Sequence, residues 1–155
     1  MVDKLKVSIY IKCNFGGNPK GAGEAAAIVE FIGESGNTYN RKHYITVSND
    51  TKNSLLLKAC THTLRTLVKP CEVNISMECG YIDNVLKQGL LRKWQKVGWI
   101  KANGKQPANL EEWKQFYMLT MIHSVEIMGS DSKYNDDLEK ILNQRKVEGN
   151  YADRN

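Results

Sequence analysis

The sequence predicts a single α/β domain built on a mixed sheet. Three observations support this: the first third of the chain alternates apolar and polar residues, the period then becomes helical, and the later strands are separated by helical segments. With 155 residues, 41% of them hydrophobic and 25% charged, the chain fits one globular domain with its own core. We expect this domain to span residues 1–146 and a polar, flexible tail to follow at 147–155.

Three antiparallel strands are predicted at the start of the chain. Residues 6–13 alternate with period two, which is the pattern of a half-buried strand. A segment rich in Gly, Asn and Pro at 14–24 predicts a turn. Second and third strands are predicted at 25–32 and 39–47, joined by a hairpin connection at 34–37.

The rest of the chain alternates helices and strands. Leu56, Cys60 and Leu64 recur at helical spacing from Thr51 onward and predict a helix that ends before Pro70. The later elements are a strand at 71–79, helices at 81–97 and 109–122, a strand at 124–129 and a helix at 134–146. The predicted order is β-β-β-α-β-α-α-β-α. Strands that are reached through a helix should run parallel to their neighbours.

Composition and local patterns exclude several classes of protein. No apolar run approaches the roughly 20 residues of a transmembrane helix, and the N-terminus lacks the apolar stretch of a signal peptide. The four cysteines show no CxxC spacing, so we expect buried, reduced thiols and no zinc site. We therefore expect a cytoplasmic protein with no membrane partner. Lys and Arg outnumber Asp and Glu by 22 to 17, which suits a polyanionic partner.

One segment combines cations with aromatic side chains. Six basic residues and no acidic residue lie between Asn84 and Leu110, with Trp94 and Trp99 among them. The basic residues are Lys87, Arg92, Lys93, Lys96, Lys101 and Lys105. Cations neutralise phosphates and aromatic rings stack on bases or sugars, so the segment predicts nucleic-acid binding. The alternative is a solvated basic helix whose tryptophans anchor it in the core, and for Trp113 we favour core packing.

Four strings in this order of elements resemble the ribonuclease H family of RNA–DNA hybrid nucleases. The first hairpin corresponds to YIKCNFGGNPKGAG, the start of the first helix to TKNSLLLKA, and the end of the fourth strand to ISMECGYI. The protrusion with which the family grips a hybrid corresponds to KWQKVGWIKANGKQPANLEEWKQF. The resemblance covers about residues 6–145. It implies a ribonuclease H-like fold, with a five-stranded mixed sheet, three antiparallel strands followed by parallel ones, flanked by helices.

The resemblance also implies the positions of a catalytic site. The family hydrolyses phosphodiesters with two metal ions held by four acids, one from each of four elements. The corresponding positions here are Lys12, Leu56, Glu78 and, with one residue deleted upstream, Glu139. A cation at position 12 opposes divalent ions, and a leucine supplies no ligand. We expect no catalysis, metal or cofactor, and an ion pair of Lys12 with Glu78 or Glu139; the alternative is an exposed, unpaired Lys12.

The same sequence is compatible with two other functions. An active endoribonuclease on RNA–DNA hybrids would need Mg²⁺ or Mn²⁺ held by Glu78, Glu139 and Asp136 or Asp137. The family's loop histidine, which assists product release, has no match in this sequence. The other possibility is a protein-interaction or structural module on a degenerate ribonuclease H fold, with a protein as its partner.

The resemblance implies further contacts to nucleic acid. Asn18 in the first hairpin, and Thr51 and Asn53 at the first helix, are placed to hold a phosphate, with turn formation and helix capping as alternative roles. Gly80 stands where the family has a groove-reading Gln, which weakens discrimination of RNA from DNA. We expect an RNA–DNA hybrid or duplex as the partner. Besides the three residues above, the predicted contacts are Lys93, Trp94, Lys96, Trp99, Lys101 and Lys105.

Overall fold

The centre of the protein is a five-stranded mixed sheet. The structure is a computed structural model, and it describes residues 4–33 and 35–152, with side chains through 144. The strands are β1 (Leu5–Phe15), β2 (Lys20–Ile32), β3 (Thr38–Thr51), β4 (Cys71–Ser76) and β5 (Ser124–Met128). Their order across the sheet is β3-β2-β1-β4-β5. The pairs β1–β2 and β2–β3 are antiparallel, whereas β1–β4 and β4–β5 are parallel, which confirms the predicted mixed sheet.

Helices cover both faces of this sheet. They are α1 (Lys52–Arg65), α2 (Gly80–Lys87), α3 (Leu90–Lys96), α4 (Leu110–Thr120) and α5 (Asn135–Ala152). Side chains of α1 to α4 share one apolar core with one face of the sheet, and α5 forms a second core with the other face. None of the helices that the structure describes is long and apolar enough to cross a membrane.

The alternation in β1 and β2 explains how two cores form on one sheet. In β1, Ile9 and Ile11 face the α1–α4 layer, while Tyr10 faces α5. In β2, Ala26 and Ile28 contact the α5 side, and their small and medium side chains let that helix approach closely. Each fully buried isoleucine stabilises the fold by about 1.5–3 kcal/mol relative to an exposed one. Two-sided burial therefore fixes the register of β1, whose C-terminal end carries Lys12.

Two glycines account for the main differences from the predicted elements. The glycine-rich segment at 14–24 is mostly strand, and only residues 16–19 connect β1 to β2. A Cβ on Gly17 would lie 2.4 Å from the backbone of Lys20, so the glycine permits a close approach within this hairpin. The predicted helix at 81–97 is two helices, because Gly89 adopts φ 63° between α2 and α3.

The ends of two other elements also differ from prediction. Strand β4 ends at Ser76, three residues before the predicted end at 79. Helix α5 continues to Ala152, beyond the predicted end at 146, because no proline interrupts its polar C-terminal half. The helix thus enters the segment predicted as a flexible tail at 147–155, of which residues 153–155 lie outside the described chain. The cysteines are free thiols, with Cys60 and Cys71 buried.

Candidate functional site

An open pocket of about 300 Å³ lies where the C-terminal ends of β1 and β4 meet the first turns of α1 and α5. Neighbouring parallel strands end at the same edge of a sheet, which is where ligands bind in many α/β proteins. Its charged lining residues are Lys12, Lys52, Glu78 and Asp131. Three predicted site positions, Lys12, Leu56 and Glu78, therefore share this pocket.

The fourth position, Glu139, is held by Lys12. The Nζ atom of Lys12 lies 2.6 Å from Oε1 of Glu139 and 2.8 Å from Oδ1 of Asn135, both on α5. This confirms the predicted Lys12–Glu139 pair; within the described chain Lys12 forms no pair with Glu78. The side chains are 33% and 51% exposed, so the pair contributes at most about 1 kcal/mol to stability. Its effect is to place a fixed ammonium at the pocket.

Leu56 occupies its predicted position but faces the core. The side chain is 3% exposed and belongs to the apolar cluster between α1 and the sheet. It therefore contributes only an apolar wall to the pocket.

Side-chain hydrogen bonds fix the start of α1 beside the pocket. The Thr51 hydroxyl accepts a hydrogen bond from the Ser54 backbone N–H at 3.1 Å, so the predicted capping role of Thr51 is confirmed. Asp50 accepts hydrogen bonds from the Thr51 N–H, the Ser54 hydroxyl and the Lys58 ammonium. Burial raises the pKa of Asp50, but these hydrogen bonds, with that of Lys58 the largest, leave it below its ordinary value. These contacts position Lys52, the first residue of α1.

The remaining candidate metal ligands do not converge. Glu78 is exposed and Asp136 does not line the pocket, whereas Asp131, which sequence reasoning missed, does. The Oδ1 atom of Asp131 accepts a hydrogen bond from the Lys133 N–H at 2.9 Å, within the loop before α5. Among the residues with described side chains, no group of three or more His, Cys, Asp or Glu is placed to hold a metal ion.

A buried carboxylate anchors the loop before α5. Glu30 on β2 accepts hydrogen bonds from Lys133 Nζ at 3.0 Å and from the Tyr134 hydroxyl. The Tyr134 ring packs edge-on against Tyr10, with 5.0 Å between ring centroids. The hydrogen bond to Glu30, more than burial, raises the pKa of Tyr134. The only sequence signal for this anchor is a lone glutamate in the apolar strand AAAIVEFI.

The basic segment consists of α3 and the loop that follows it to residue 109, together with the end of α2. Lys87 is paired with Asp83 at 2.9 Å. The other five cations are exposed and have no acidic partner in the described part of the chain. They are Arg92, Lys93, Lys96, Lys101 and Lys105. The segment therefore presents unpaired positive charge, as the sequence predicts.

The tryptophans of this region mainly anchor it. Trp113 is fully buried, which confirms its predicted packing role, and its Nε1 donates to the Tyr81 hydroxyl at 2.7 Å. Trp94 is 8% exposed and packs against Trp113, so its ring has the core-anchoring role that the sequence allows as the alternative to a nucleic-acid contact. Trp99 is half-buried, with its ring 5.8 Å from that of Tyr117. Tyr81 in turn donates to the Ala108 carbonyl at 3.1 Å and fixes the end of the loop.

The other predicted phosphate contacts gather at the start of α1. Lys20 pairs with Thr51 across β2 and β3, so the hairpin turn that carries the exposed Asn18 lies near this end of the helix. Asn53 is exposed, and its Oδ1 accepts a hydrogen bond from the Cys79 thiol at 3.7 Å. Gly80, at the start of α2, has no heavy atom within 4 Å of the position that a Cβ would occupy.

Comparison with known proteins identifies the family to which this chain belongs. The sequence model of the RNase H family matches residues 6–129. The ribonuclease H of Acetivibrio thermocellus is 32% identical over 141 residues, covering 88% of this chain and 91% of that protein. The ribonuclease H of Prosthecochloris aestuarii is 32% identical over 145 residues, covering 91% and 95%.

Solved structures show the same fold at low sequence identity. LC9-RNase H1, described as a type 1 RNase H with the type 2 active-site motif, matches with a TM-score of 0.74 and 18% identity, over 91% of this chain and 72% of that chain. The foamy viral protease–reverse transcriptase in complex with an RNA/DNA hybrid matches with a TM-score of 0.64 and 11% identity, over 86% of this chain and 18% of that chain. The predicted ribonuclease H-like fold is confirmed.

Proposed function

Because this chain belongs to the ribonuclease H family, we propose that it is a member that binds nucleic acid and has lost two-metal cleavage. The main support for the loss of cleavage is the position of the Lys12 side chain. The Lys12 ammonium, bonded to Glu139 and Asn135, lies where the family resemblance implies a metal-binding carboxylate. The basic segment, with its unpaired cations, provides the surface for a nucleic-acid backbone.

The pocket residues do not fit the magnesium or manganese ions that this family generally uses. Such ions need several oxygen ligands, preferably carboxylates. Leu56 provides no ligand, and Oε1 of Glu139 accepts from Lys12, which leaves Glu78 and Asp131 on the pocket wall. At 4 Å an ammonium opposes each unit of positive charge by about 4 kcal/mol for an effective dielectric constant near 20. We therefore assign no hydrolytic step to this pocket.

A cleavage assay tests the first half of the proposal. We expect no cleavage of a labelled RNA–DNA hybrid with Mg²⁺ or Mn²⁺, because the ligand set is incomplete; denaturing gels measure the product. The ribonuclease H of Acetivibrio thermocellus serves as the positive control. Divalent-dependent cleavage that Glu78→Gln abolishes would reject the proposal. Cleavage with Mn²⁺ alone that requires Glu78, Glu139 and Asp136 would support the alternative of an active endoribonuclease with rearranged ligands.

A binding assay tests the second half. Each cation that neutralises a duplex phosphate adds about 0.9 to the slope of log K against log salt concentration. We expect hybrid and duplex probes to bind with a clear salt dependence, measured by fluorescence anisotropy between about 50 and 200 mM salt. Affinity that does not change with salt would exclude binding through the basic segment. The proposed nucleic-acid-binding surface does not include Trp94, because this residue is buried.

A second candidate function, protein contact, is favoured by exposed apolar side chains within the basic segment and at the C-terminal end of α4. These side chains are Val97, Ile100, Met118, Met121 and Ile122. The contact between Trp99 and Tyr117 connects the loop after α3 to α4. Sedimentation equilibrium of the wild type and of Met121→Glu tests this function. Self-association that the substitution abolishes would favour it, whereas a monomer at all concentrations would count against a homotypic contact.

A further inference from the structure

The Lys12 ammonium has one hydrogen-bond donor in excess of its protein partners. An ammonium group carries three N–H donors. Two of them donate to Glu139 Oε1 and Asn135 Oδ1, at 2.6 and 2.8 Å. The third has no acceptor among the described residues, and Lys12 lines the open pocket of about 300 Å³. An ammonium held on two sides and open on the third is suited to an anionic oxygen from outside.

A second ammonium lies in the same pocket. Lys52 is exposed, has no ion-pair partner in the described chain, and opens α1, whose first turn contains no acidic residue. Its charge acts on two half-buried thiols of this region, Cys13 and Cys79. Burial raises the pKa of both thiols; Lys52 partly offsets that rise, and for Cys79 the backbone hydrogen bonds of Ile82 and Tyr81 offset it more. Lys52 lines the same pocket as Lys12.

We propose that Lys12 and Lys52 together bind one phosphodiester group of a nucleic-acid backbone in this pocket, without a metal ion. The inference rests on the proposed function and adds a defined contact to it. Lys12 donates its third N–H to one non-bridging oxygen, and Lys52 neutralises the same group. The ammonium held by α5 thus performs the electrostatic role that a metal ion has in a two-metal site, but it activates no water.

The carboxylates of the pocket determine how strong this contact is. Glu139 is paired with Lys12, whereas Glu78 is exposed on the pocket wall and unpaired within the described chain. Asp131 also lines the pocket, with one oxygen held by the Lys133 N–H. Two ammoniums are thus opposed by nearby acids, and free inorganic phosphate should bind poorly. A backbone phosphodiester is bound because the basic segment holds the rest of the strand and raises its effective concentration.

The test is a phosphate-by-phosphate comparison of wild type and Lys12→Met. Duplex probes, each with one neutral methylphosphonate linkage, are titrated with the full chain in EDTA, and affinity is measured by anisotropy. One linkage should weaken wild-type binding by about 3- to 10-fold and should weaken Lys12→Met clearly less, because only Lys52 still acts on that phosphate. Lys12→Met should also lower the salt slope, by no more than about 0.9 because Lys52 still neutralises part of the same charge. Glu78→Gln should strengthen binding about 2- to 3-fold by removing an opposing charge.

Two variants keep the test decisive. Lys52→Met leaves the Lys12–Glu139 pair intact and should likewise lose part of its sensitivity to the same linkage, so the test stands even if Lys12→Met is poorly folded by circular dichroism. Lys69→Met, an exposed lysine beyond the far end of α1, is the matched control and should keep that sensitivity. Inorganic phosphate should compete no better than chloride at equal ionic strength. Stronger competition by phosphate would assign the pocket to a free anion instead and overturn the inference.

Failure of this inference is distinct from failure of the proposed function. If wild type binds, but no linkage is coupled to Lys12 or Lys52, the pocket does not hold a phosphodiester and the proposed function stands. If wild type binds no hybrid or duplex at low salt, the proposed function fails and the inference fails with it.

Discussion

The pocket and the basic segment lie on the same domain but differ in how much change their roles tolerate. At the pocket, two of the four positions that the resemblance assigns to acids hold Lys12 and Leu56. Two-metal catalysis depends on each ligand, so under the proposed function these two differences account for its loss. Along the basic segment, the proposed function gives five unpaired cations the same role, and each phosphate contact would add to affinity separately. We therefore expect binding to tolerate single substitutions better than catalysis does.

The comparison also separates two kinds of residue within the basic segment itself. Trp94 and Trp113 are buried and fix the segment to the core, while the lysines project into solvent. We therefore expect the rings to determine stability and the cations to determine affinity for nucleic acid. Substitutions of each kind should change one property and leave the other almost unchanged.

The largest expected effect is on stability. Trp113→Ala removes a fully buried ring and the hydrogen bond from its Nε1 to Tyr81, and should lower the free energy of unfolding by about 3–5 kcal/mol. Urea denaturation followed by circular dichroism measures the change. The matched control is Trp99→Ala, whose ring is only half-buried and whose loss should cost clearly less. Equal losses for the two variants would contradict the assignment of Trp113 as the main anchor.

The next effect is on affinity. Lys96→Glu combined with Lys101→Glu replaces two phosphate-neutralising charges with repelling ones, and should weaken duplex and hybrid binding at least 10-fold at about 100 mM salt. Anisotropy measures the affinity, and thermal melting should be nearly unchanged because both residues are exposed. Lys69→Glu reverses one exposed charge beyond the C-terminal end of α1, a change of two charges where the double variant changes four, and should reduce affinity far less than half as much. A similar loss in that control would mean that binding is not localised to the basic segment.

A substitution at the pocket should make the melting temperature depend on Mg²⁺. Lys12→Asp places a carboxylate beside Glu139 and Asn135, and repulsion between the acids should lower the melting temperature by a few degrees in EDTA. Mg²⁺ should restore the loss in this variant and leave wild type unchanged. Thermal denaturation at matched ionic strength measures both effects. Equal Mg²⁺ stabilisation of wild type would contradict the role given to Lys12.

Acid should weaken the fold at the opposite end of the sheet from the pocket. His123 is buried and its Nδ1 accepts a hydrogen bond from the Cys71 N–H at 3.0 Å. Burial, and then Lys4, lower the pKa of His123, so the unfolded chain takes up this proton more readily than the folded one. The contribution of neutral His123 to the free energy of unfolding is complete above the ordinary histidine pKa of about 6.5. It declines as the pH falls below that value. Urea titrations at pH 7.5 and 5.5 check this, and His123→Gln should reduce the difference.

The smallest effect concerns the choice between RNA and DNA. Gly80→Gln returns a groove-reading amide to a position with open space around it. We expect the ratio of hybrid to DNA-duplex affinity to rise about 2- to 3-fold. Gly80→Ala, which adds no hydrogen-bonding group, is the control and should leave the ratio unchanged. An equal rise in both variants would point to a backbone effect.

Sequence patterns predict the elements well where burial has a clear period. The alternation of β1, the spacing of Leu56, Cys60 and Leu64, and the stop before Pro70 correspond to observed elements. Gly89 is missed as a break between helices, because a single glycine in a helical pattern is compatible with a continuous helix as well as with its end. The strands of the hairpin between β1 and β2 are predicted too short. Their glycines suggest a turn at 14–24, whereas in the structure they allow the paired strands to approach each other closely.

Site residues are predictable only where they fall in a sequence motif that resembles the family. The resemblance identifies Lys12 and Glu139, and their opposite charges suggest the pair that the structure contains. Lys52 and Asp131 are missed because no periodicity indicates which polar side chain faces a pocket formed by four separate elements. The bond between Glu30 and Lys133 joins residues 103 positions apart, and a local pattern contains no information about such a contact.

The proposed function requires that the Lys12 ammonium, and not a pair of metal ions, faces the nucleic-acid backbone in the pocket. Crystals of the full chain with a duplex, soaked in Mn²⁺ and measured at the manganese absorption edge, test it most directly. We expect no anomalous peak between Glu78 and Glu139, with Lys12 Nζ within hydrogen-bonding distance of a backbone phosphate oxygen. Two anomalous peaks about 3.5–4 Å apart, bridged by a phosphate, would contradict it.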